Sequence, residues 1–215
     1  DPPREGAADA VAACEGAGIA VKMVTGDQPA TAEAIAARLG LSSQGPPLTG
    51  TEIAALDDNM LAARLEETSV AARMVPQDKL RIVRALQSRG EIVAVTGDGV
   101  NDAPALRAAQ IGVAMGRSGT DVAREAAGLV LIDDDFATIV HAVAQGRVTF
   151  AAIRNATFFL LSTAVAAVLA LSINVLLDQP LLFLPVQILF LNVVTSSIQD
   201  IALAFEPPRG DELSR

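Results

Sequence analysis

The chain has 215 residues, of which 51% are hydrophobic and 19% are charged, and its formal net charge is −9. Its first 146 residues hold 12 Lys or Arg against 20 Asp or Glu, a net of −8. Because an acidic surface repels a phosphate backbone and no basic stripe is present, the composition argues against nucleic acid as a partner.

Short β-branched runs alternate with Ala-rich helical patterns through the first 135 residues, which is typical of a parallel sheet covered by helices. Strands are predicted at Ala20–Val24, Val70–Met74, Ile92–Val95, Ile111–Ala114 and Leu129–Ile132. Helices are predicted at Glu5–Ala17, Pro29–Leu39, Pro76–Ser88 and Asn101–Ala109. The segment Ser42–Asn59, which contains Gly45-Pro46-Pro47, is predicted to leave the sheet. The acidic run Asp133–Asp135 is interpreted as a solvated helix start, since carboxylates favour helix N-termini.

Two apolar stretches follow a predicted stalk helix that begins at Phe136. Asn155–Leu177 is 23 residues long and carries no charge, which exceeds the length needed to span a bilayer. The second stretch, Leu181–Phe205, carries one charge, at Asp200, and only Asp178–Pro180 separates it from the first. The pair is therefore predicted to form a membrane hairpin in a lipid bilayer.

The predicted organisation has four parts: an α/β domain over 1–135, a stalk helix over 136–154, the hairpin over 155–205 and a truncated tail over 206–215. Arg147 and Arg154 precede the first span, and Arg209 follows the second. Because positive residues flank the cytoplasmic ends of spans, the α/β domain and the tail are predicted to be cytoplasmic.

Two candidate sites follow the first and second predicted strands. In Thr25-Gly26-Asp27, a hydroxyl and backbone amides at a helix mouth suit a phosphoryl oxygen, and Gly26 permits close approach of the backbone. The same tripeptide is also an ordinary strand-to-helix turn. Lys79, just inside the helix that begins at Pro76, offers a point cation for phosphate, although a solvated surface lysine would look the same.

The third candidate site is the string Thr96-Gly97-Asp98-Gly99-Val100-Asn101-Asp102, which follows the strand predicted at Ile92–Val95. The Asp98 and Asp102 carboxylates and the Asn101 amide are hard oxygen ligands that suit Mg²⁺ in phosphoryl transfer. No lysine follows the glycines, a third glycine is missing, and the oxygen spacing is wrong for a calcium loop. The string is therefore neither a phosphate loop, nor a dinucleotide fingerprint, nor a calcium loop.

Taken in order, these motifs resemble those of the P-type cation-transporting ATPases, in the calcium-pump-like type II class. The matching strings are Asp1-Pro2-Pro3-Arg4, Met23-Val24-Thr25-Gly26-Asp27, Lys79, and Thr96 to Asp102 with Ala103-Pro104. The resemblance implies a partial haloacid dehalogenase-like domain, a Rossmann-like parallel α/β sheet, followed by the family's fifth and sixth membrane helices as an α-helical hairpin.

The resemblance also implies roles for individual residues, with ATP as the substrate and Mg²⁺ as the cofactor. Asp98 becomes the Mg²⁺ ligand and Asp102 a second candidate ligand. Thr25 and Lys79 would contact the phosphoryl group, and Asp27 and Arg4 would lie near the nucleotide and the hinge. The full set implied for catalysis and nucleotide binding is Arg4, Thr25, Gly26, Asp27, Lys79, Asn101 and Asp102.

The chain is expected to be a fragment of a multi-pass pump in the cell membrane, which couples ATP hydrolysis through an aspartyl phosphate to cation transport. The family's Asp-Lys-Thr-Gly-Thr nucleophile motif, its nucleotide-binding domain and its actuator domain are expected before Asp1, and four further membrane helices after the hairpin. The fragment alone is therefore expected to be inactive. The alternative is a phosphatase of the haloacid dehalogenase superfamily with a membrane anchor.

A stripe of oxygen-bearing side chains in the second apolar stretch is predicted to line the path of the transported cation. At α-helical spacing its members share one face, and polar groups in hydrocarbon favour the interior of a helix bundle. Hydrogen bonding between helices is the other interpretation. The stripe comprises Asn192, Thr195, Ser196, Gln199 and Asp200. Ala164, Ala167 and Ser196 stand where calcium pumps have ion ligands. The identity of the transported ion is therefore undecided among calcium, manganese, sodium, potassium and others.

Overall fold

The computed structural model describes residues 3–4, 6–41, 45–180, 183–208, 210 and 213, and for residues 185, 192, 195 and 196 it describes the backbone only. The described residues form two compact units, of which the first extends to His141 and the second begins at Ala142. Each unit has its own architecture. Glu5, the predicted start of the first helix, lies outside the described residues.

Parallel strands organise the first unit into two three-stranded sheets within the described part of the chain. The strands are β1 (Met23–Val24), β2 (Leu48–Thr49), β3 (Val70–Ala72), β4 (Ala94–Gly97), β5 (Ile111–Met115) and β6 (Leu129–Leu131). The strand orders are β1-β3-β2 and β4-β5-β6, so β3 and β5 are central. Because all the pairs are parallel, the carboxyl ends of the strands meet at one edge of each sheet, where such folds place ligands.

Helices connect these strands, as parallel pairing requires. They are α1 (Ala7–Gly16), α2 (Pro29–Arg38), α3 (Gly50–Ala55), α4 (Asp58–Glu67), α5 (Pro76–Ser88), α6 (Ala103–Ala108) and α7 (Asp121–Ala126). α5 has the predicted bounds because Pro76 suits the first helical position and Asp78 accepts a 3.1 Å hydrogen bond from the Val75 amide. This contact fixes the start of the helix that carries Lys79.

Separate buried clusters hold the sheets and helices together. The cluster beside the first sheet includes Leu48, Ile53 and Leu61, which are fully buried. In the second sheet, Leu106 and Ala123 pack with Ala114 of the central strand. Burial of this kind stabilises by about 1.5–3 kcal/mol for each large aliphatic side chain. The sheet edges that carry the candidate site are thus supported by packed apolar layers.

The prediction that Ser42–Asn59 leaves the sheet is wrong. Leu48–Thr49 forms β2 and pairs with β3, with Leu48 opposite Ala71. The Leu48 side chain is fully buried, and Thr49 and Glu52 form a capping box that starts α3 directly after the strand. Residues 42–44 of the segment lie outside the described residues. The turn residues therefore lead into an edge strand.

Several other boundaries differ from the prediction. β4 begins at Ala94 and not at Ile92, whose side chain is 73% exposed, and it extends through Gly97, which pairs with Ala114. The helix predicted at Asn101–Ala109 is a 3₁₀ turn, Val100–Asp102, followed by α6. β1, β3 and β6 are shorter than predicted, and α4 and α7 were not predicted. The shift of β4 places Thr96 and Gly97 in a strand.

A 41-residue helix, α8 (Phe136–Leu176), begins in the first unit and continues into the second. Among the described residues it is the helix that is long and apolar enough to cross a membrane. The second apolar stretch contains α9 (Pro185–Phe190), a π-helical turn (Leu191–Ser196) and α10 (Ser197–Ala204). Leu181, at the start of that stretch, lies outside the described residues. The second membrane span stays a prediction.

The π-helical turn changes the expected geometry of the polar stripe. The prediction of one shared face assumed α-helical spacing from Asn192 to Asp200. In a π-helix the hydrogen bonds run from i to i+5, so the turn is wider and the spacing changes at Ser196. The regular α-helical geometry assumed for the stripe therefore does not apply to Leu191–Ser196, and the shared face stays a prediction.

Candidate functional site

The turn after β1 is tied to the end of β3. The Thr25 hydroxyl donates to Asp27 Oδ2 at 3.0 Å, and the Asp27 amide donates to Thr25 Oγ1 at 3.1 Å. The Met74 amide donates to the Thr25 carbonyl and the Arg73 amide to the Asp27 carbonyl. A Cβ added at Gly26 would meet the Met74 carbonyl at 3.7 Å, an ordinary contact. The fold of this chain therefore does not itself require glycine at position 26.

Lys79 and Asp102 form an ion pair at the carboxyl end of β4. Lys79 Nζ lies 2.6 Å from Asp102 Oδ1, and the two side chains are 21% and 14% exposed. The other carboxylate oxygen of Asp102 accepts a 3.1 Å hydrogen bond from the Gly99 amide. A solvated surface lysine is thus the wrong interpretation of Lys79. The pair is charge-assisted and links the start of α5 to the 3₁₀ turn.

Gly97 allows Asp102 to lie against the end of the strand. A Cβ at position 97 would be 2.6 Å from the Asp102 Cβ and 2.9 Å from its Cγ. Carbon atoms that are not bonded to each other do not come this close. The missing side chain therefore gives the Asp102 carboxylate room to meet Lys79. Asn101, between these residues in the 3₁₀ turn, is exposed.

Asp98 is the open carboxylate of the site. Its side chain is 55% exposed, and its carbonyl accepts a 2.8 Å hydrogen bond from the Thr120 amide. An accessible, anionic, hard oxygen fits a Mg²⁺ ligand. Within the described ranges, no group of three or more His, Cys, Asp or Glu side chains could hold a metal ion. Asp98 would thus need oxygen ligands from water, phosphate or other segments.

Arg4 lies beside Asp98. Its Nη2 is 3.8 Å from Asp98 Oδ2 and donates to Ser118 Oγ at 2.8 Å. Its Nη1 donates to the Asp134 carbonyl at 3.1 Å and lies 3.7 Å from Asp134 Oδ2. The guanidinium therefore joins two carboxylates and a loop, and its predicted role near the nucleotide stays a prediction.

Asp134 was missed as a site residue by the sequence interpretation. Its carboxylate accepts hydrogen bonds from the amides of Gly116, Arg117 and Ser118, at 2.7, 3.0 and 2.8 Å. The Arg117 amide is the largest cause of a pKa well below the usual range for this carboxyl, with further hydrogen bonds from Ser118 and Gly116 and with desolvation opposing them. A solvated helix start is the wrong interpretation for this residue.

The two neighbours of Asp134 do behave as a helix start. Asp135 Oδ1 accepts from the Ala137 amide at 2.9 Å, and Asp133 Oδ2 accepts from the Thr138 hydroxyl at 2.7 Å. The Thr138 hydrogen bond is the main cause of a lowered pKa for Asp133. Three adjacent aspartates carry no sequence signal that separates these roles, since the difference depends on the distant loop that Asp134 meets.

In the predicted cation path, Asp200 is half-buried, and its Oδ1 is buried without a hydrogen-bond partner among the residues that the structure describes. Gln199 is exposed. The side chains of Asn192, Thr195 and Ser196 lie outside the described residues. An unpartnered buried carboxylate oxygen is costly unless something binds it.

Comparison with known proteins follows the same division of the chain. Residues 1–110 match the haloacid dehalogenase-like hydrolase family, and residues 180–215 match the C-terminus of cation-transporting ATPases. The chain belongs to the P-type cation-transporting ATPases, within the haloacid dehalogenase-like hydrolases. This P-type ATPase chain is 50% identical over its whole length to a Mycobacterium tuberculosis protein named "Probable cation-transporting ATPase F".

Other similar proteins include "Calcium-transporting ATPase 1" of Lactococcus lactis, at 44% identity, and human "Calcium-transporting ATPase type 2C member 1", at 43%. Each is matched over 100% of this chain and 24% of the relative, as is the mycobacterial protein. The P-type ATPase chain thus spans about a quarter of the length of these relatives.

Solved structures support the fold. A zinc-transporting PIB-type ATPase in the E2.Pi state is similar over 100% of this chain and 28% of that one, with a TM-score of 0.71 and 29% identity. The catalytic domain of a CPx-ATPase is similar over 65% of this chain and 45% of its own, with a TM-score of 0.50 and 25% identity. The predicted partial haloacid dehalogenase-like α/β fold is confirmed.

Proposed function

We propose that the full-length protein containing this chain is an ATP-driven pump that couples cation transport to an aspartyl-phosphate cycle. The observation that carries the proposal is the continuity of α8. Phe136 and Ile139, in its first turns, pack against Val113, Met115 and Leu131 of the second sheet. The same helix then continues as the apolar segment long enough to cross a membrane. A pump needs a connection of this kind between the sheet that carries the candidate site and the membrane segment.

In the proposed reaction, the bond between the γ-phosphorus of ATP and its bridging oxygen breaks, and a bond to an aspartate carboxylate forms. ADP leaves with the bridging oxygen. Water later attacks the phosphorus, the bond between the phosphorus and the aspartate oxygen breaks, and inorganic phosphate and the free carboxylate are released. The 215 residues contain no Asp-Lys-Thr-Gly-Thr motif, so another segment would supply the aspartate. The isolated chain is accordingly proposed to be inactive.

The residues of this chain have distinct proposed roles in that reaction. Lys79, held by Asp102 at 2.6 Å, is within the site and can turn its charge toward a phosphoryl oxygen. The Thr25 hydroxyl would donate to the same group. Asp98 would hold Mg²⁺, with Asp102 as a second candidate ligand. When bound, the ion would neutralise charge on the transferring phosphoryl oxygens.

The transported cation is proposed to pass beside α10, with Asp200 as a ligand. Support comes from its buried, unpartnered oxygen and from the adjacent π-helical turn, since such turns occur frequently at functional sites. A phosphatase with a membrane anchor would need neither feature. The match of residues 180–215 to the C-terminus of cation-transporting ATPases also supports the pump.

Asp98→Asn in the full-length protein tests the proposed chemistry. The variant is expected to lose at least about 90% of the Mg²⁺-dependent phosphoenzyme. Losing a residue that only supports a metal ligand typically costs about 10–100-fold in metal affinity or activity, and losing the ligand itself should cost no less. The measurement is acid-stable incorporation from γ-labelled ATP. Asp9→Asn, an exposed carboxylate on α1, is the matched control and should keep the normal level. Normal phosphoenzyme in Asp98→Asn would show that the metal ligand is wrong.

A further inference from the structure

We infer that Asp134 is a positioning residue for Asp98, acting through the loop Gly116–Gly119, here named the 116–119 loop. The inference rests on the proposed role of Asp98 as a Mg²⁺ ligand. Asp134 follows β6, and the loop follows β5, so the two meet at the carboxyl edge of the second sheet.

The first step of the argument is the way Asp134 holds the loop. Three consecutive amides, from Gly116 to Ser118, converge on its one carboxylate, as they would on a bound anion. The Asp134 side chain is only 12% exposed, so its charge is matched mainly by these donors and by Arg4. Its backbone is left-handed, with φ at 59°, a conformation that Asp adopts more readily than most residues.

The second step is the connection from the loop to Asp98. Directly after the loop, the Thr120 amide donates to the Asp98 carbonyl at 2.8 Å, and the Thr120 hydroxyl caps α7 by accepting from Ala123. From the opposite side, Arg124 Nη1 donates to the carbonyls of Gly116, at 2.9 Å, and Gly119. The loop is therefore clamped by a carboxylate on its amides and by a guanidinium on its carbonyls.

The third step concerns the charge around Asp98. Arg4 lies 3.7 Å from the Asp134 carboxylate and 3.8 Å from that of Asp98. When Asp134 is ionised, the Arg4 guanidinium is attracted to both the Asp134 and the Asp98 carboxylates. Without that charge, Arg4 would favour Asp98 and compete there with a bound cation. Loss of the Asp134 charge thus loosens the main chain of Asp98 and also opposes metal binding to its side chain.

Asp134→Asn in the full-length protein tests this inference, with Asp133→Asn as the matched control. Asp133 is the adjacent carboxylate. Within the described residues its hydrogen bonds come from the Asp135 amide and the Thr138 hydroxyl, and Arg117 of the loop acts on it through charge alone. In Mg²⁺-free protein, Asp134→Asn should accelerate amide hydrogen exchange at positions 116–118 and at Thr120. It should also raise the Mg²⁺ concentration for half-maximal phosphorylation by about 10-fold or more, with the maximum at saturating Mg²⁺ retained.

The opposite result is equally specific. If Asp134→Asn matches Asp133→Asn in both the Thr120 exchange rate and the Mg²⁺ midpoint, Asp134 does not position Asp98. If Asp134→Asn fails to fold, Arg124→Gln tests the inference instead. It removes the hydrogen bonds from Arg124 to the loop carbonyls of Gly116 and Gly119. Arg124→Gln must also raise the Mg²⁺ midpoint; an unchanged midpoint overturns the inference.

Asp98→Asn in the same assay separates the inference from the proposed function. If Asp98→Asn leaves the Mg²⁺ midpoint unchanged, the proposed metal ligand is wrong. If Asp98→Asn changes it and both Asp134→Asn and Arg124→Gln do not, the metal ligand stands and only the positioning role fails.

Discussion

Gly97 and Asp102 lie so close at the end of β4 that the position of the Asp102 side chain depends on the absence of a side chain at position 97. Gly97→Ala would place a methyl group 2.6 Å from the Asp102 Cβ, and Asp102 would have to leave Lys79. Overpacking of this kind costs about 1–3 kcal/mol. We expect a lower thermal midpoint for the full-length protein and a loss of phosphoenzyme.

Gly16→Ala is the control for Gly97→Ala. Position 16 is in α1, and an added Cβ there would meet nothing within 4 Å. Replacing glycine with alanine in a helix is expected to be neutral or to stabilise by up to about 1 kcal/mol. If both variants have equal thermal midpoints and phosphoenzyme levels, the Gly97–Asp102 contact has no role.

Single residues could be predicted from sequence where a motif carries the chemistry within a few positions. Lys79, Asp98 and Asp102 were proposed as site residues in this way; the structure joins Lys79 and Asp102 in an ion pair, and the chemical roles of all three stay predictions. Asp134 was not, because its function depends on amides 16 to 18 positions earlier in the chain. Burial and backbone donors determine its role, and neither is visible in a run of three aspartates.

At the scale of elements, boundaries were predicted well where the chain carries explicit start and stop signals. α5 has Pro76 at its start and is followed by Gly90 at φ 84°, a conformation that suits glycine. β2 has two residues, too few to show an alternating pattern, and it follows a Gly-Pro-Pro turn. Its place in the sheet is decided by burial of Leu48 and pairing with β3.

The π-helical turn before α10 is the element on which the proposed cation path depends. Asp200 lies four residues beyond Ser196, about 6 Å along an α-helix at about 1.5 Å per residue. Its carboxylate could stand in for the one that Ser196 lacks. A site with so few carboxylates favours a monovalent ion or a weakly bound divalent ion.

Asp200→Asn in the full-length pump should raise the cation concentration for half-maximal ATPase stimulation by about 10-fold or more, and Ser196→Ala should change it less. The measurement compares ATPase activity across calcium, manganese, sodium and potassium. Asp178→Asn, an exposed carboxylate in the turn between the apolar stretches, is the control. Unchanged ion dependence in Asp200→Asn would make the residue a packing group.

At the scale of the whole molecule, the proposed hairpin makes both of its ends face one side of the membrane. Asn155 Nδ2 donates to Glu206 Oε2 at 3.3 Å, so the start of the first apolar stretch lies beside the end of the second. Arg147 and Arg154 precede the first stretch, which favours the cytoplasm for that side. Arg209, which the prediction also used, lies outside the described residues. The turn at Asp178–Pro180 would then be outside the cell.

Gln179→Cys tests this orientation, because Gln179 is exposed in that turn. In intact cells, a membrane-impermeant thiol reagent should label the full-length variant above the level of the unmodified protein. Gln145→Cys is the matched control, since Gln145 is exposed on α8 two residues before Arg147. It should be labelled only after the membrane is permeabilised. The reverse pattern would invert the proposed topology. If both variants were labelled only after permeabilisation, the turn and the stalk would lie on the same side of the membrane. A membrane hairpin does not allow that arrangement.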